Sequence, residues 1–193
     1  MHHDASRTSY YVGDDFYQSL VDSYSNWQTD ESEITDPELR NIFGMLLEKE
    51  ARLLDQNCLN DWLSLYVPEC IYWVPATPDG GDPRTEIAVC FDDRRRIEDR
   101  IFRLQNEFAW SQQPISRTSR IISNISAFRT GSSDTVMLRS TFLTTEFQAG
   151  DKRTYSGWYG HKIVLKNDRW QISVKQVNLI DCDQNLRNLS IIL

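Results

Sequence analysis

RTSRIISNISAFR, residues 117–129, opens a run of four strand-type segments whose reading decides the fold. The turn Thr130-Gly-Ser-Ser-Asp134 leads into TVMLRSTFLTTEF, residues 135–147, and Ala149-Gly-Asp151 leads into RTYSGWYGHKIVL, residues 153–165. Asn167-Asp168 then introduces RWQISVKQVNLI, residues 169–180. Connections this short demand antiparallel neighbours. Several of these segments carry apolar residues on both faces. In the last, Trp170, Ile172 and Val174 point one way while Val177 and Leu179 point the other, which predicts a bulge or a strongly twisted sheet. A sheet apolar on both sides needs two covers, one of which could be another subunit.

Upstream the pattern is helical. Asp14–Trp27 carries Phe16, Leu20, Val21, Tyr24 and Trp27 at helical spacing. A polar, acidic linker, Asn26–Thr35, separates it from Thr35-Asp-Pro-Glu38, a helix start with capping-box spacing and proline in the first turn. That helix presents Leu39, Ile42, Phe43, Leu46, Leu47 and Leu54 on one side, with Glu48, Lys49, Glu50 and Arg52 mostly outside. A second helix over Cys58–Tyr66 ends at Pro68, and Cys70–Val74 reads as the first strand. Past the loop Ala76–Arg84, the strand Glu86–Phe91 meets Asp92 or Asp93 as cap of a helix running to Phe108, with Ile97, Ile101, Leu104 and Phe108 on its buried face. Helices first and a long antiparallel sheet after them make an α+β fold with helices covering one face. The expected division is an N-terminal extension with one helix, residues 1–34, and a single α+β domain, residues 35–193.

At 193 residues with 40% hydrophobic and 11% aromatic content, the chain suffices for one core. No run approaches a membrane helix and the first residues lack an apolar signal core, so a soluble, cytoplasmic protein is expected. Cys58, Cys70, Cys90 and Cys182 form no CxxC pair and read as buried free thiols. A net charge of −7, with no basic face interleaved with aromatics, argues against nucleic-acid binding.

The missing chemistry is informative. Of three histidines, two are His2 and His3 at the start, leaving His161 alone in the folded part. Neither a two-His-one-carboxylate iron site nor a Rieske site can be assembled from that set. HExxH, a Gly-rich phosphate loop and GxSxG are all lacking. The charge-dense DDRRRIEDR, residues 92–100, reads first as a helix cap with ion pairs, then as a partner contact, and least as an acid–base site. His161 shares a strand face with Tyr155, Tyr159, Ile163 and Leu165. With Tyr72 and an aspartate it could form an acid–base pocket, although a hydrogen-bonded core histidine is the simpler reading. Trp110, before the Pro114 turn, reads as a packing or interface anchor. Arg117 and Arg120 sit at a strand start, where a bidentate contact to a partner carboxylate would suit arginine.

Three stretches resemble the small (β) subunit of aromatic-ring-hydroxylating, Rieske-type non-haem iron dioxygenases: EARLLDQNCLNDWLSLYVPECIYWVP (Glu50–Pro75), FDDRRRIEDRIFRL (Phe91–Leu104) and AWSQQPISRTSRIISNI (Ala109–Ile125). The closing NLRNLSIIL (Asn185–Leu193) shares the flavour. The resemblance implies a cone-shaped fold of the nuclear-transport-factor-2 type, with a strongly curved, mostly antiparallel sheet wrapped by N-terminal helices. It implies a non-catalytic assembly subunit, without cofactor or metal of its own. Its partner would be a large (α) subunit carrying the Rieske 2Fe–2S cluster and the mononuclear Fe(II), typically in an α3β3 hexamer with β–β contacts. Ferredoxin and reductase carriers would act on that complex in aromatic hydrocarbon catabolism. Asp92, Asp93, Arg94, Arg100, Trp110, Arg117 and the tail ending in Leu193 become interface candidates. The rival readings are a stand-alone cone-fold dehydratase or isomerase using His161, Tyr72 and an aspartate, and a small aromatic-ligand-binding protein.

Overall fold

The computed structural model describes residues 14–78, 80–105, 113–184 and 191–193. Helix α1 (Asp14–Tyr24) is followed by a 3-10 turn (Asp30–Ser32), α2 (Pro37–Asp55) and α3 (Leu59–Leu63). Strands β1 (Tyr66–Pro75) and β2 (Ala88–Asp93) precede α4 (Arg94–Gln105), and β3 (Arg117–Arg129), β4 (Thr135–Gln148), β5 (Asp151–Lys166) and β6 (Arg169–Leu179) complete the order. All six strands form one sheet in the order β2-β1-β6-β5-β4-β3. Only the β1–β6 pair is parallel, because the chain must cross from the first hairpin to the meander. The expected α+β fold with a mostly antiparallel sheet is the fold observed.

Local chemistry explains the joints. Ala149 and Gly150 (φ 49° and 87°), and Asn167 and Asp168 (φ 50° and 57°), turn the β4–β5 and β5–β6 hairpins with two left-handed residues each. That hand matches the twist of the flanking strands. Asp36, rather than Thr35, caps α2: its carboxylate accepts from the Glu38 and Leu39 amides, with Pro37 in the first turn. Asp93 caps α4 by accepting from the Arg96 amide at 2.9 Å. The first strand begins at Tyr66, earlier than expected, and Pro68 lies within it. Its pairing with β6 jumps from Tyr66↔Ile172 to Ile71↔Val174 around the residue that lacks a backbone donor.

The predicted bulge in β6 falls at Ser173, between the pairs Ile163↔Ile172 and Lys162↔Val174. One extra residue flips the alternation. Ile172, Val177 and Leu179 therefore join the main core, while Val174 packs on the far side, contrary to the expectation that Ile172 and Val174 share a face. The main core lies between the concave face of the sheet and α2, α3 and α4, around Phe43, Leu47, Trp62, Tyr72, Phe142 and Tyr159. The second cluster is covered by α1. Leu20 buries against Ile71, Trp73 and Val174, Tyr17 stacks on Phe91 at 5.5 Å, and Tyr24 donates to the Gly160 carbonyl at 2.9 Å. Part of the second sheet face is thus covered by the chain's own first helix. No helix of the described residues is long and apolar enough to cross a membrane.

Candidate functional site

The cone encloses one dense polar cluster, and it is not the one anticipated. Glu50 was expected outside α2, but it follows Phe43 and Leu47 at helical spacing and its exposure is 2%. Its Oε1 accepts from Trp62 Nε1 at 3.1 Å, Tyr66 Oη at 2.7 Å and Lys175 Nζ at 3.1 Å. Its Oε2 meets His161 Nε2 at 3.1 Å. Lys175 reaches the cluster because the Ser173 bulge turns it inward with Val177, and its ammonium lies 4.2 Å from the centre of the Tyr159 ring. Tyr159 stacks in turn on Phe142 at 4.1 Å.

Electrostatics make this a saturated ion pair with a neutral histidine. Burial alone would raise the Glu50 pKa, yet Lys175 and His161 outweigh it and hold the carboxyl well below the ordinary carboxylate range. Burial lowers the pKa of both Lys175 and His161, and the attraction of Glu50 opposes it without fully offsetting it. The 3.1 Å contact between Lys175 Nζ and Glu50 Oε1 is an ion pair, with the negative charge on Glu50 and the positive one on Lys175. His161 stays uncharged and donates through Nε2, leaving Nδ1 without a hydrogen-bond partner among the described residues.

The anticipated trio of His161, Tyr72 and an aspartate is not assembled: the carboxylate on His161 is Glu50. The Tyr72 hydroxyl instead accepts from the Leu193 amide at 3.0 Å and donates to the Leu193 oxygen at 3.3 Å. Burial raises the Tyr72 pKa well above its ordinary value, so the phenol stays protonated. Sequence reasoning missed Glu50 and Lys175. The signal for Glu50 was its place on the apolar stripe of α2, and for Lys175 its parity with Val177 and Leu179 after the bulge.

Of residues 92–100, Asp92, Asp93, Arg94, Arg96, Glu98 and Arg100 are engaged within the chain. Arg100 holds Asp92 Oδ2 at 2.7 Å and its Nη2 also meets Cys90 Sγ at 3.0 Å. Arg94 pairs with Glu98 at 3.0 Å and donates to the carbonyls of Leu63, Tyr66 and Val67, tying α4 to the start of β1. Arg117 lies 4.9 Å over the Phe147 ring, beside the exposed Ile121 and Leu143 on the outer face of β3 and β4. Arg120, taken as a possible partner contact, pairs with Asp55 at the end of α2 at 2.5 Å. Leu193 is fully buried. Trp110 lies outside the described residues.

All four cysteines are free, as expected, and three are buried. Burial pushes Cys70 up to about 12 against the pull of Arg94, so this thiol is unreactive at neutral pH. Among the described residues, no group of three or more His, Cys, Asp or Glu side chains could hold a metal ion.

Comparison with known proteins agrees with this architecture. Residues 49–184 match the family model described as "Ring hydroxylating beta subunit". The chain is 34% identical over 142 residues to the benzoate 1,2-dioxygenase subunit beta of Acinetobacter baylyi, covering 70% of this chain and 83% of that protein. The solved β subunit of benzoate 1,2-dioxygenase from Burkholderia mallei superposes with a TM-score of 0.63 at 26% identity, over 78% of this chain and 95% of that one. A nuclear-transport-factor-2-like protein with a cystatin-like fold from Novosphingobium aromaticivorans shares the fold at a TM-score of 0.54 and 13% identity, over 74% and 82% of the two chains. With a nuclear-transport-factor-2-like fold and a family match over most of its length, the chain belongs to the β subunits of aromatic-ring-hydroxylating dioxygenases.

Proposed function

We propose that this chain is a non-catalytic assembly subunit, and that catalysis in its oxygenase belongs to a large α subunit holding a Rieske 2Fe–2S cluster and a mononuclear Fe(II). One observation carries the reading: the ionisable residues at the centre of the cone, Glu50, His161 and Lys175, are paired with one another and buried away from solvent. Both oxygens of Glu50 are occupied, and Lys175 and His161 are 1% and 0% exposed, so no substrate atom reaches them as they stand. A general acid or base must come within hydrogen-bond reach of its substrate. This argues equally against the stand-alone dehydratase or isomerase.

Assembly, by contrast, needs apolar surface left uncovered within one chain. Ile121, Leu143 and Phe147 supply it on the outer face of β3 and β4, at 60%, 40% and 38% exposure, with Arg117 at its rim. We place the contact there, in an α3β3 complex fed by ferredoxin and reductase carriers in the cytoplasm. Of the sequence-derived interface candidates, Arg117 remains on this face. Asp92, Asp93, Arg94 and Arg100 would act by holding α4 in shape.

The test is expression of the chain alone and with its large subunit, followed by iron content, particle mass and aromatic oxidation. Iron and oxidation only in the co-expressed complex, unaffected by His161→Ala beyond its loss of stability, are the expected result. Substrate turnover by the isolated chain, abolished in His161→Ala, would refute the proposal.

A further inference from the structure

We infer that the mouth of the cone is a peptide-binding site, occupied in cis by residues 191–193 as an internal ligand. Ile191, Ile192 and Leu193 are 9%, 4% and 0% exposed. Apolar burial alone would make them ordinary core. What distinguishes them is that their backbone is read by side chains prearranged from elements remote in the chain. Tyr72 on β1 takes both polar groups of Leu193, accepting from its amide and donating to its oxygen. Arg120 on β3 donates through Nη2 to the Ile192 carbonyl.

The arginine is built for this contact. Asp55, at the last position of α2, accepts from Arg120 Nη1 at 2.5 Å and from the Arg120 amide at 2.9 Å. Thr118 Oγ1 braces the same Nη1 at 2.8 Å and donates to Asp55 at 2.8 Å. The side chain is 2% exposed, so its geometry is fixed by its surroundings. Because Asp55 pairs with the guanidinium, the Arg120–Asp55 pair as a whole presents no net charge to the ligand at Nη2. That favours a neutral carbonyl over a carboxylate. The protonated Tyr72 hydroxyl, accepting and donating at once, matches one N–H and one C=O of an extended backbone. Leu54, Leu59 and Leu104 supply the apolar wall, and the space left beside the tail is a cavity of about 40 Å³, room for roughly one water. The ligand class is therefore an extended apolar peptide segment with branched side chains.

The site matters because of what lies beneath it. Tyr72 meets the edge of Trp62 at 6.3 Å, and Trp62 donates to Glu50. The strap thus seals the mouth one ring away from the buried ion pair, and its release would let water towards that pair. The inference stands on this chain's own contacts, independently of the assembly role.

The test compares the full chain with one ending at residue 190. The shortened chain should melt roughly 5 °C or more lower, as expected when several apolar side chains lose their burial. An acetylated peptide with the sequence of residues 190–193 should bind it saturably and raise its melting temperature, while the same peptide carrying Ile192→Asp should do neither. An unchanged melting temperature, or no saturable binding by a folded shortened chain, overturns the inference. Should the shortened chain fail to fold, hydrogen exchange in the full chain decides. The Leu193 amide should be protected, and should exchange roughly tenfold faster in Tyr72→Phe, which removes its acceptor. Equal exchange in the two proteins would also overturn it.

Discussion

Replacing Glu50 by glutamine would test whether the centre of the cone is held by charge or merely by shape. The substitution keeps the volume and one acceptor oxygen, so Trp62 and Tyr66 can retain their bonds to that atom. Lys175, however, loses its ion-pair partner while remaining 1% exposed. Removing one member of a buried pair costs about 3–5 kcal/mol, because the other charge is left desolvated and unpaired. That is a large share of the roughly 5–15 kcal/mol that holds a domain folded. Lys175→Met strands Glu50 in the same way, with one difference: Lys175 normally holds the His161 pKa down, so in its absence His161 becomes easier to protonate. We expect Lys175→Met to be the milder single change, with a raised His161 pKa visible by NMR. In the double variant both charges are gone, and its cost in urea unfolding should fall short of the sum of the singles by about 2 kcal/mol or more. Single variants each costing under about 1 kcal/mol, or strictly additive effects, would refute the charge-paired core.

Acid should destabilise the protein in two steps. Burial, partly opposed by Glu50, keeps the folded His161 pKa below its ordinary 6.5, so the unfolded chain binds more protons and stability falls as pH drops below about 6.5 towards the folded value. Glu50, held low by Lys175 and His161 against its burial, adds a second loss below its ordinary 4.5; His161→Gln should remove the upper step of a urea-midpoint-against-pH profile and shrink the lower one, which Lys175 still supports. At Gly157, a Cβ would sit 1.9 Å from the Asn178 carbonyl oxygen on β6, so Gly157→Ala should cost more than about 2 kcal/mol by urea unfolding. Asp36→Ala, which removes the cap of α2, should cost about 1 kcal/mol, and Asp36→Ser should recover most of it.

The order of elements was legible in the chain because it rests on local signals. Turn residues with left-handed backbone at Ala149-Gly150 and Asn167-Asp168 separate segments long enough to be strands, and Asp36-Pro37-Glu38 ahead of an apolar stripe at helical spacing signals a helix start. Even the β6 bulge showed itself as a switch from even-numbered to odd-numbered apolar residues between Ile172 and Val177. That His161 is the one histidine beyond residue 3 was equally plain in the sequence. Those facts, with the stretches resembling the dioxygenase β subunits, determined the fold class and the family.

Only the tertiary structure decided which residues meet inside the cone. Glu50 and Lys175 are 125 positions apart, as their numbering shows, and neither looks apolar. They come together because helical spacing aims one inward and a single extra residue at Ser173 turns the other to meet it. Arg94 and Arg100 looked like surface charge until the fold brought backbone carbonyls and Asp92 to them. Residues 191–193 read only as apolar and available for docking. Their destination depended on Tyr72 and Arg120, donors that α2 and two separate strands place at one mouth. Secondary structure follows from periodicities a few residues long, whereas a buried charge is tolerable only beside its partner, and partners distant in the chain are chosen by the packing of the whole.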